Sequence, residues 1–279
     1  VVPDERLDFL TNMFHPARTI NATFEFYDIA GLVKGASHGE GLGNQFLAAI
    51  RECDAICEVV RCFDSNEIIH VESSVDPARD IETIDLELAM ADLDTVTKII
   101  GRQDIKARVA KDKTAKYEMD ILRPLEKVLS EGKPARMCKE LSEEQIAYAK
   151  KNFFLLTLKP IIYVANVAPE DYSDIDQCAY YQTVKRIAGE QGAQCIPVSC
   201  QIEFELSQLG PDDRAVFLDE LGASESGLDK LVKAAYKLLD LSTFFTCGTD
   251  ECRAWTFHVG MTAPECAGII HSDFQRGFI

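Results

Sequence analysis

Short apolar runs alternate along this chain with segments of helical period. The run AICEVVRCF (55–63) is nearly continuous and rich in β-branched residues, which predicts a buried parallel strand rather than an edge strand. PIIYVANVAPED (160–171) predicts a strand that breaks into a polar loop, and QCIPVSCQ (194–201) predicts another buried strand. In NATFEFYDIAG the alternation of Thr23, Phe24, Glu25 and Phe26 predicts a strand ending at Asp28. Between these runs lie helical patterns. Asp4 caps a helix with Leu7, Leu10 and Phe14 on one side. NQFLAAIREC (44–53) places Phe46, Ala49, Ile50 and Cys53 on one face, and VKRIAGEQG is a further helix. GLDKLVKAAYKLL (227–239) aligns Leu228, Leu231, Val232, Ala235 and Leu239. This alternation predicts an α/β domain with a mostly parallel sheet. Ligand loops of such sheets lie beyond the carboxyl ends of the strands, so the loops at Asp28, Asn166 and Ser199 can converge on one ligand.

From Asp80 the rhythm changes. Ile81, Ile84, Leu88 and Ala91 form one stripe, and Leu86, Leu93 and Ile100 a second, predicting a long two-faced helix. KYEMDILRPLEKVLSEG predicts another helix, kinked at Pro124 and ending at Gly132. The basic segment RQDIKARVAKDKTAK (102–116) lies between them, with Arg102, Lys106, Arg108, Lys111, Lys113 and Lys116 against two aspartates. The pattern fits a projecting helical hairpin with a charged tip and, equally, a packed pair of surface helices. Beyond Leu241, CRAWTFHVG (252–260) alternates as a strand, and TAPECAGIIHSDF starts a helix near Thr262 with Pro264 in its first turn. This tail reads as the first part of a small α+β module.

Bulk properties narrow the picture. The 279 residues are enough for two domains, and 47% hydrophobic with 27% charged residues describes a globular protein. No run of about 18 apolar residues occurs, so no membrane-spanning helix is expected. The chain opens with VVPDERLDFL, without Met or a basic-then-apolar signal, and stops at GFI, so both ends read as cut. The net charge of −17 opposes broad nucleic-acid binding but leaves room for the local patch at 102–116. Ten cysteines include no C-x-x-C pair; the closest are Cys53/Cys57, Cys57/Cys62, Cys195/Cys200 and Cys247/Cys252. They are expected to be reduced cytoplasmic thiols serving as small buried hydrophobes, with a zinc site or thiol regulator as the alternative.

The chemistry concentrates in YDIAGLVKGASHGEGLGNQF (27–46), where glycine recurs at 31, 35, 39, 41 and 43. Asp28 at a strand end can hold Mg²⁺, and the backbone N–H of Gly31 can approach a terminal phosphate. Leu32 follows, where many GTPases carry a glutamine that orients the attacking water; leucine cannot, so hydrolysis is slow or uses another group. His38 is the nearby imidazole, either a catalytic group on a mobile switch or a solvated loop histidine. Asn166-Val167-Ala168-Pro169 stands where GTP-binding proteins carry N-K-x-D. Pro169 cannot accept guanine's paired N–H donors and Val167 replaces the lysine, so guanine preference is undermined and adenine enters as the other candidate base. Glu170, one place along, can reach the base edge, and Ser199 stands where a third base-contacting loop is found.

The strings DIAGLVKGASHGEGLGNQFLAAIRECDAI and VVRCFDSNEIIHVESSVDPARDIETIDLELAMADL closely resemble the YchF/Obg-like ATPase family of P-loop NTPases. The tail FFTCGTDECRAWTFHVGMTAPECAGIIHSDFQRGFI resembles the start of that family's TGS domain. The resemblance implies a Ras-like nucleotide domain (1–79 and 152–241), an inserted α-helical coiled-coil hairpin (80–151) and a partial TGS domain (242–279). It implies Mg²⁺-dependent hydrolysis of ATP, often in preference to GTP, by a cytoplasmic, ribosome-associated regulator. Ribosome contact would run through 102–116 and the TGS domain. Asp28 and Gly31 match switch II, Leu32 the family's hydrophobic replacement of glutamine, Asn166 and Val167 the base loop, and Ser199 the third loop. The family's N-x-x-E pattern is displaced here, its glutamate falling one place later at Glu170; a backbone contact from Val167 or Ala168 survives that change. The G-x-x-x-x-G-K-[ST] phosphate loop and its Mg²⁺-binding Ser/Thr are expected upstream of Val1. The alternatives are an Obg-related GTPase and a non-catalytic nucleotide-dependent adaptor.

Overall fold

The structure is a computed structural model that describes residues 1–29, 42–70, 73–109 and 112–279. Its helices are α1 (Glu5–Phe14), α2 (Leu42–Glu52), α3 (Pro77–Val109), α4 (Lys113–Ser130), α5 (Glu143–Phe153), α6 (Pro169–Tyr172), α7 (Ala179–Glu190), α8 (Cys200–Gln208), α9 (Pro211–Glu220), α10 (Gly227–Leu238), α11 (Ala263–Ile270) and α12 (Ser272–Arg276). Its strands are β1 (Arg18–Ile20), β2 (Ile56–Cys62), β3 (Ile161–Val167), β4 (Gln194–Val198), β5 (Leu241–Cys247) and β6 (Glu251–His258). Two compact units divide the chain, one of residues 28–197 and one of 1–27 with 198–279.

The larger unit carries a sheet ordered β2-β3-β4, with β2 and β3 parallel from Ile56↔Ile161 to Cys62↔Val167. β3 is buried on both faces from Ile161 to Ala165, as its continuous apolar run requires. β2 is less enclosed than its sequence suggests. Val60 and Cys62 are buried, but Val59 is 60% exposed, and among the described strands β2 lies at the sheet edge. The core beneath the sheet joins Val60, Cys62, Tyr163 and Ala165 to Ile81 of α3 and to Tyr181, Val184 and Ala188 of α7. Lys159 donates to the carbonyls of Arg51 (3.0 Å) and Cys53, tying the end of α2 to the entry of β3.

Next to this core lies a helical layer with a core of its own. Ala89, Val96 and Ile100 of α3 pack against Ile121, Leu122, Leu125 and Leu129 of α4 and against Ala149 and Phe153 of α5. Full burial of each such leucine contributes roughly 2 kcal/mol. The layer therefore has three helices rather than two, and α5 is closed by a capping box between Ser142 and Gln145. α4 continues through Pro124, and Gly132 adopts φ +72 just past its end, a conformation glycine takes without strain. The second stripe of α3 divides: Leu93 and Ile100 join the helical core, whereas Leu86 is 45% exposed.

In the smaller unit the sheet is ordered β1-β6-β5, with β1 parallel to β6 and β5 antiparallel to it. Leu7 of α1 and Val232 and Tyr236 of α10 bury against Cys252 and Ala254 of β6. Asp4 caps α1 by accepting from Arg6 N, and Thr262 and Glu265 form a capping box on α11. The strand expected to end at Asp28 is not present. The strand in that region is Arg18–Ile20, paired with β6, and residues 21–29 lie outside any ladder. Alternation of side chains supplies one apolar face, but a strand also needs a neighbour to accept its hydrogen bonds, and β6 takes the earlier residues.

Candidate nucleotide site

The residues singled out by sequence lie mainly at strand ends. β3 delivers Asn166 and Val167 at its carboxyl end; Val167 is buried and Asn166 half-buried, in register with Arg61 of β2. The chain then turns at Ala168, whose extended ψ of 152 is the conformation required before proline. Pro169 opens α6, so a short helix replaces the expected polar loop and Glu170 sits exposed in its first turn. Asp171 N donates to the Ala168 carbonyl at 3.2 Å, which closes the turn. Ser199 directly follows β4, at the N-terminus of α8. Its side chain is 1% exposed, and among the described residues its Oγ finds no hydrogen-bond partner. A buried hydroxyl without a partner costs free energy, and a ligand at this strand end would relieve that cost. Asp28 is exposed. Gly31, Leu32 and His38 lie outside the described residues.

Sequence reasoning did not single out Arg61. Its guanidinium lies over the Phe63 ring at 4.7 Å and donates to the carbonyls of Phe63 and Ile68, both at 3.0 Å. This arginine therefore shapes the loop that leaves β2. The loop in turn meets the start of α3, where His70 Nε2 lies 3.0 Å from Asp80 and Arg79 bonds both Asp80 and Ser74. An arginine within an apolar strand was the available signal, but charge alone does not distinguish a loop organiser from an edge residue.

A buried charge cluster lies behind the strands. Asp85 of α3 accepts from Arg136 Nη2 (2.7 Å) and from Gln191 Nε2 (2.6 Å). Gln191 Oε1 accepts from Arg136 Nε (2.8 Å) and from Tyr163 Oη on β3 (2.9 Å). Glu58 of β2, in register with Tyr163, is buried beside this group and has one carboxylate oxygen without a partner among the described residues. Burial pushes the Glu58 carboxyl well above its ordinary value; the nearby Asp85 charge adds to the rise and Arg136 opposes it. Because the folded value lies above the unfolded one, the stabilisation from Glu58 is present at acidic pH and is lost as pH rises. Thermal unfolding of Glu58→Gln should therefore gain on the wild type between about pH 5 and about pH 8. A difference that stays constant with pH would show that Glu58 ionises normally.

Comparison with known proteins fits these elements together. Residues 6–115 match a family model described as 50S ribosome-binding GTPase (MMR_HSR1), and residues 241–279 match the YchF-GTPase_C model, a protein of unknown function. Over its whole length the chain is 51% identical to the ribosome-binding ATPase YchF of Bacillus subtilis and covers 75% of that protein. The chain belongs to the YchF family. Its likeness to the YchF protein of Escherichia coli O157:H7 is 48% over 281 aligned positions, again 75% of that relative. In three dimensions it matches the Schizosaccharomyces pombe YchF GTPase with a TM-score of 0.86 and 38% identity, covering 100% of this chain and 74% of that one. The α/β fold with a parallel sheet is that of the family's P-loop GTPase domain. YchF relatives are thus similar to this chain through both of its units, including the helical layer and the β5–β6 hairpin.

Proposed function

We propose that this chain carries most of a slow, Mg²⁺-dependent ATPase that acts as a conformational switch on the ribosome in the cytoplasm. The observation that carries this reading is identity of 51% across the entire chain to a protein named ribosome-binding ATPase. The base loop adds to it: Asn166 and Val167 stand at the carboxyl end of β3, and Pro169 begins a helix where a guanine-reading carboxylate would stand. Asn166, Val167 and Ala168 would contact the adenine, with Glu170 near its edge, and Ser199 is a separate candidate for a base contact. Gly31 would meet the terminal phosphate, and His38 is the candidate catalytic group of the same segment.

Asp28 is an exposed carboxylate, a hard oxygen donor of the type Mg²⁺ takes singly when phosphates supply other ligands. Among the described residues, no group of three or more His, Cys, Asp or Glu side chains could hold a metal by itself. Asp28 therefore suits an ion held largely by the nucleotide, where it would neutralise phosphate charge.

In functional terms we assign 1–79 and 152–241 to the nucleotide domain, 80–151 to the helical insertion and 242–279 to the start of a TGS domain. The basic segment spans the end of α3 and the start of α4, with Arg102, Lys106, Lys113 and Lys116 exposed. This patch and the TGS region are the proposed ribosomal contacts. Among the described residues no helix is long and apolar enough to cross a membrane.

Two measurements on the full-length protein test the reading. Mg²⁺-dependent ATP hydrolysis above buffer is expected, and GTP should compete at least about tenfold more weakly. Tighter GTP binding would favour the GTPase reading, and binding without single-turnover hydrolysis, with or without ribosomes, would leave an adaptor. Reversing the charge of Lys106, Arg108, Lys111 and Lys113 should weaken ribosome association and flatten its salt dependence, by about 1 in log–log slope per lost phosphate contact. Unchanged binding would move the contact to the TGS face.

A further inference from the structure

Two thiols face each other across the mouth of the β5–β6 hairpin. Cys247 ends β5 and Cys252 is the second residue of β6, and the two are partners in register. The turn between them is closed by Gly248 N donating to the Glu251 carbonyl at 3.0 Å. Gly248 and Glu251 are therefore a hydrogen-bonded pair, and the next pair out, Cys247 and Cys252, is a non-hydrogen-bonded one. Cα atoms of such pairs lie about 4.5 Å apart, inside the range of about 4.4–6.8 Å found across disulfides. Both side chains point to the same face of the sheet, where Cys247 packs on the cluster that contains Cys252. Both are free thiols.

The pairs Cys53/Cys57 and Cys57/Cys62 lack this arrangement. Cys57 and Cys62 are five residues apart on one strand, so they point to opposite faces of β2. Cys53 lies just past the end of α2, its thiol donating to the Ala49 carbonyl at 3.3 Å. Burial raises the Cys57 thiol to about 11 and Cys62 to about 12, which leaves both inert.

We propose that Cys247 and Cys252 form a reversible disulfide when the protein meets a low-molecular-weight disulfide such as oxidised glutathione. Cys247 is half-buried whereas Cys252 is 0% exposed, so the reagent enters at Cys247. The Cys247 thiolate attacks the small disulfide, forming a mixed disulfide and releasing one small thiol. Cys252 then loses its proton and attacks the Cys247 sulfur, expelling the second small thiol. The protein gives up two electrons and two protons, and the small disulfide becomes two thiols. Burial, with the adjacent Cys252 thiol adding to it, holds the Cys247 thiol above its ordinary value, so the first step accelerates as pH rises. The new bond draws Cys252 away from the Leu10 carbonyl of α1, which its thiol reaches at 4.0 Å. It also fixes the residue of β6 that pairs with Thr19 of β1.

Trypsin leaves both cysteines in one peptide, 238–253, between Lys237 and Arg253. The full-length native protein is incubated with oxidised glutathione, alkylated, digested and weighed. The expected product is this peptide lighter by two hydrogen atoms, free of glutathione and of alkyl groups, and restored by dithiothreitol. Exposed Cys200 reports that the reagent was active. In Cys252→Ser the glutathione adduct should persist on Cys247, because nothing can displace it. Two results overturn the proposal: a peptide that keeps both thiols while Cys200 reacts, or an adduct on Cys247 that never closes in the wild type. The wild-type result stands even where the variant fails to fold.

Discussion

Replacing Asp92 with alanine is expected to destabilise the protein by about 4 kcal/mol, roughly a third to most of the stability of a typical domain. Asp92 is 1% exposed on the inner face of α3. Its carboxylate accepts from Leu156 N (2.8 Å), Thr157 N (2.8 Å) and Thr157 Oγ1 (2.6 Å). Thr157 Oγ1 in turn accepts from Ala135 N at 2.9 Å. One side chain thus satisfies two buried amides and orients a hydroxyl that satisfies a third. Alanine would leave two amide donors without partners, each costing roughly 1–3 kcal/mol, and would open a small cavity besides. Asparagine keeps one acceptor but aims an NH₂ at the remaining donors, so it should recover part of the loss and not all. Urea unfolding followed by circular dichroism measures both variants. A loss below about 1.5 kcal/mol for Asp92→Ala would mean that water replaces the carboxylate. The affected turn leads straight into β3, so the variant should also weaken nucleotide binding through the strand that carries Asn166.

The second large effect is expected at Arg136. Its side chain and that of Asp85 are 10% and 8% exposed, and the guanidinium also bonds Gln191 and the Thr157 carbonyl. Arg136→Leu leaves the Asp85 charge buried with no cation to offset it, and losses of this kind run to about 3–5 kcal/mol. The double variant Asp85→Leu/Arg136→Leu should regain about half of that, because it removes the uncompensated charge rather than exposing it. Gln191 and Tyr163 lose partners in the double variant, which limits the recovery. Equal stability of the single and double variants would show that the charge of Asp85 is not what the arginine offsets.

β3 was legible because burial on both faces leaves a continuous apolar run, as in residues 161–165. β2 and β4 were found from their apolar runs, but among the described strands they are edge strands, and β4 is only half-buried over most of its length, not the buried strand its sequence suggests. Helices α1, α2, α3, α4, α7 and α10 were legible through period and caps. Helix α5 was missed although Ser142 and Gln145 carry its capping box; its short, lysine-rich body shows little apolar periodicity. Helices α8 and α9 and strand β5 were missed as well, and β5 is half-buried at every position, without alternation. The false strand at 23–28 has a different cause, since ladder partners are distant in sequence and no local pattern reveals which residues will claim them. At the site, Asn166, Val167 and Ser199 lie at strand ends as read. The roles of Asp85 and Asp92 depend on contacts across 51 to 106 positions, and no spacing rule reports those.

The length of α3 has a mechanical meaning. Its 33 residues form one uninterrupted helix, about 50 Å long at the ordinary rise per residue. Its foot is held at Asp80 by the loop that leaves β2 and at Asp85 by the charge cluster behind β3, while its far end carries the basic segment. A rod fixed in this way works as a lever arm. A tilt of about 5° at the foot displaces the tip by about 4 Å, comparable to one turn of helix. Sub-ångström adjustments beneath the sheet would therefore reach the basic tip as shifts large enough to make or break a phosphate contact.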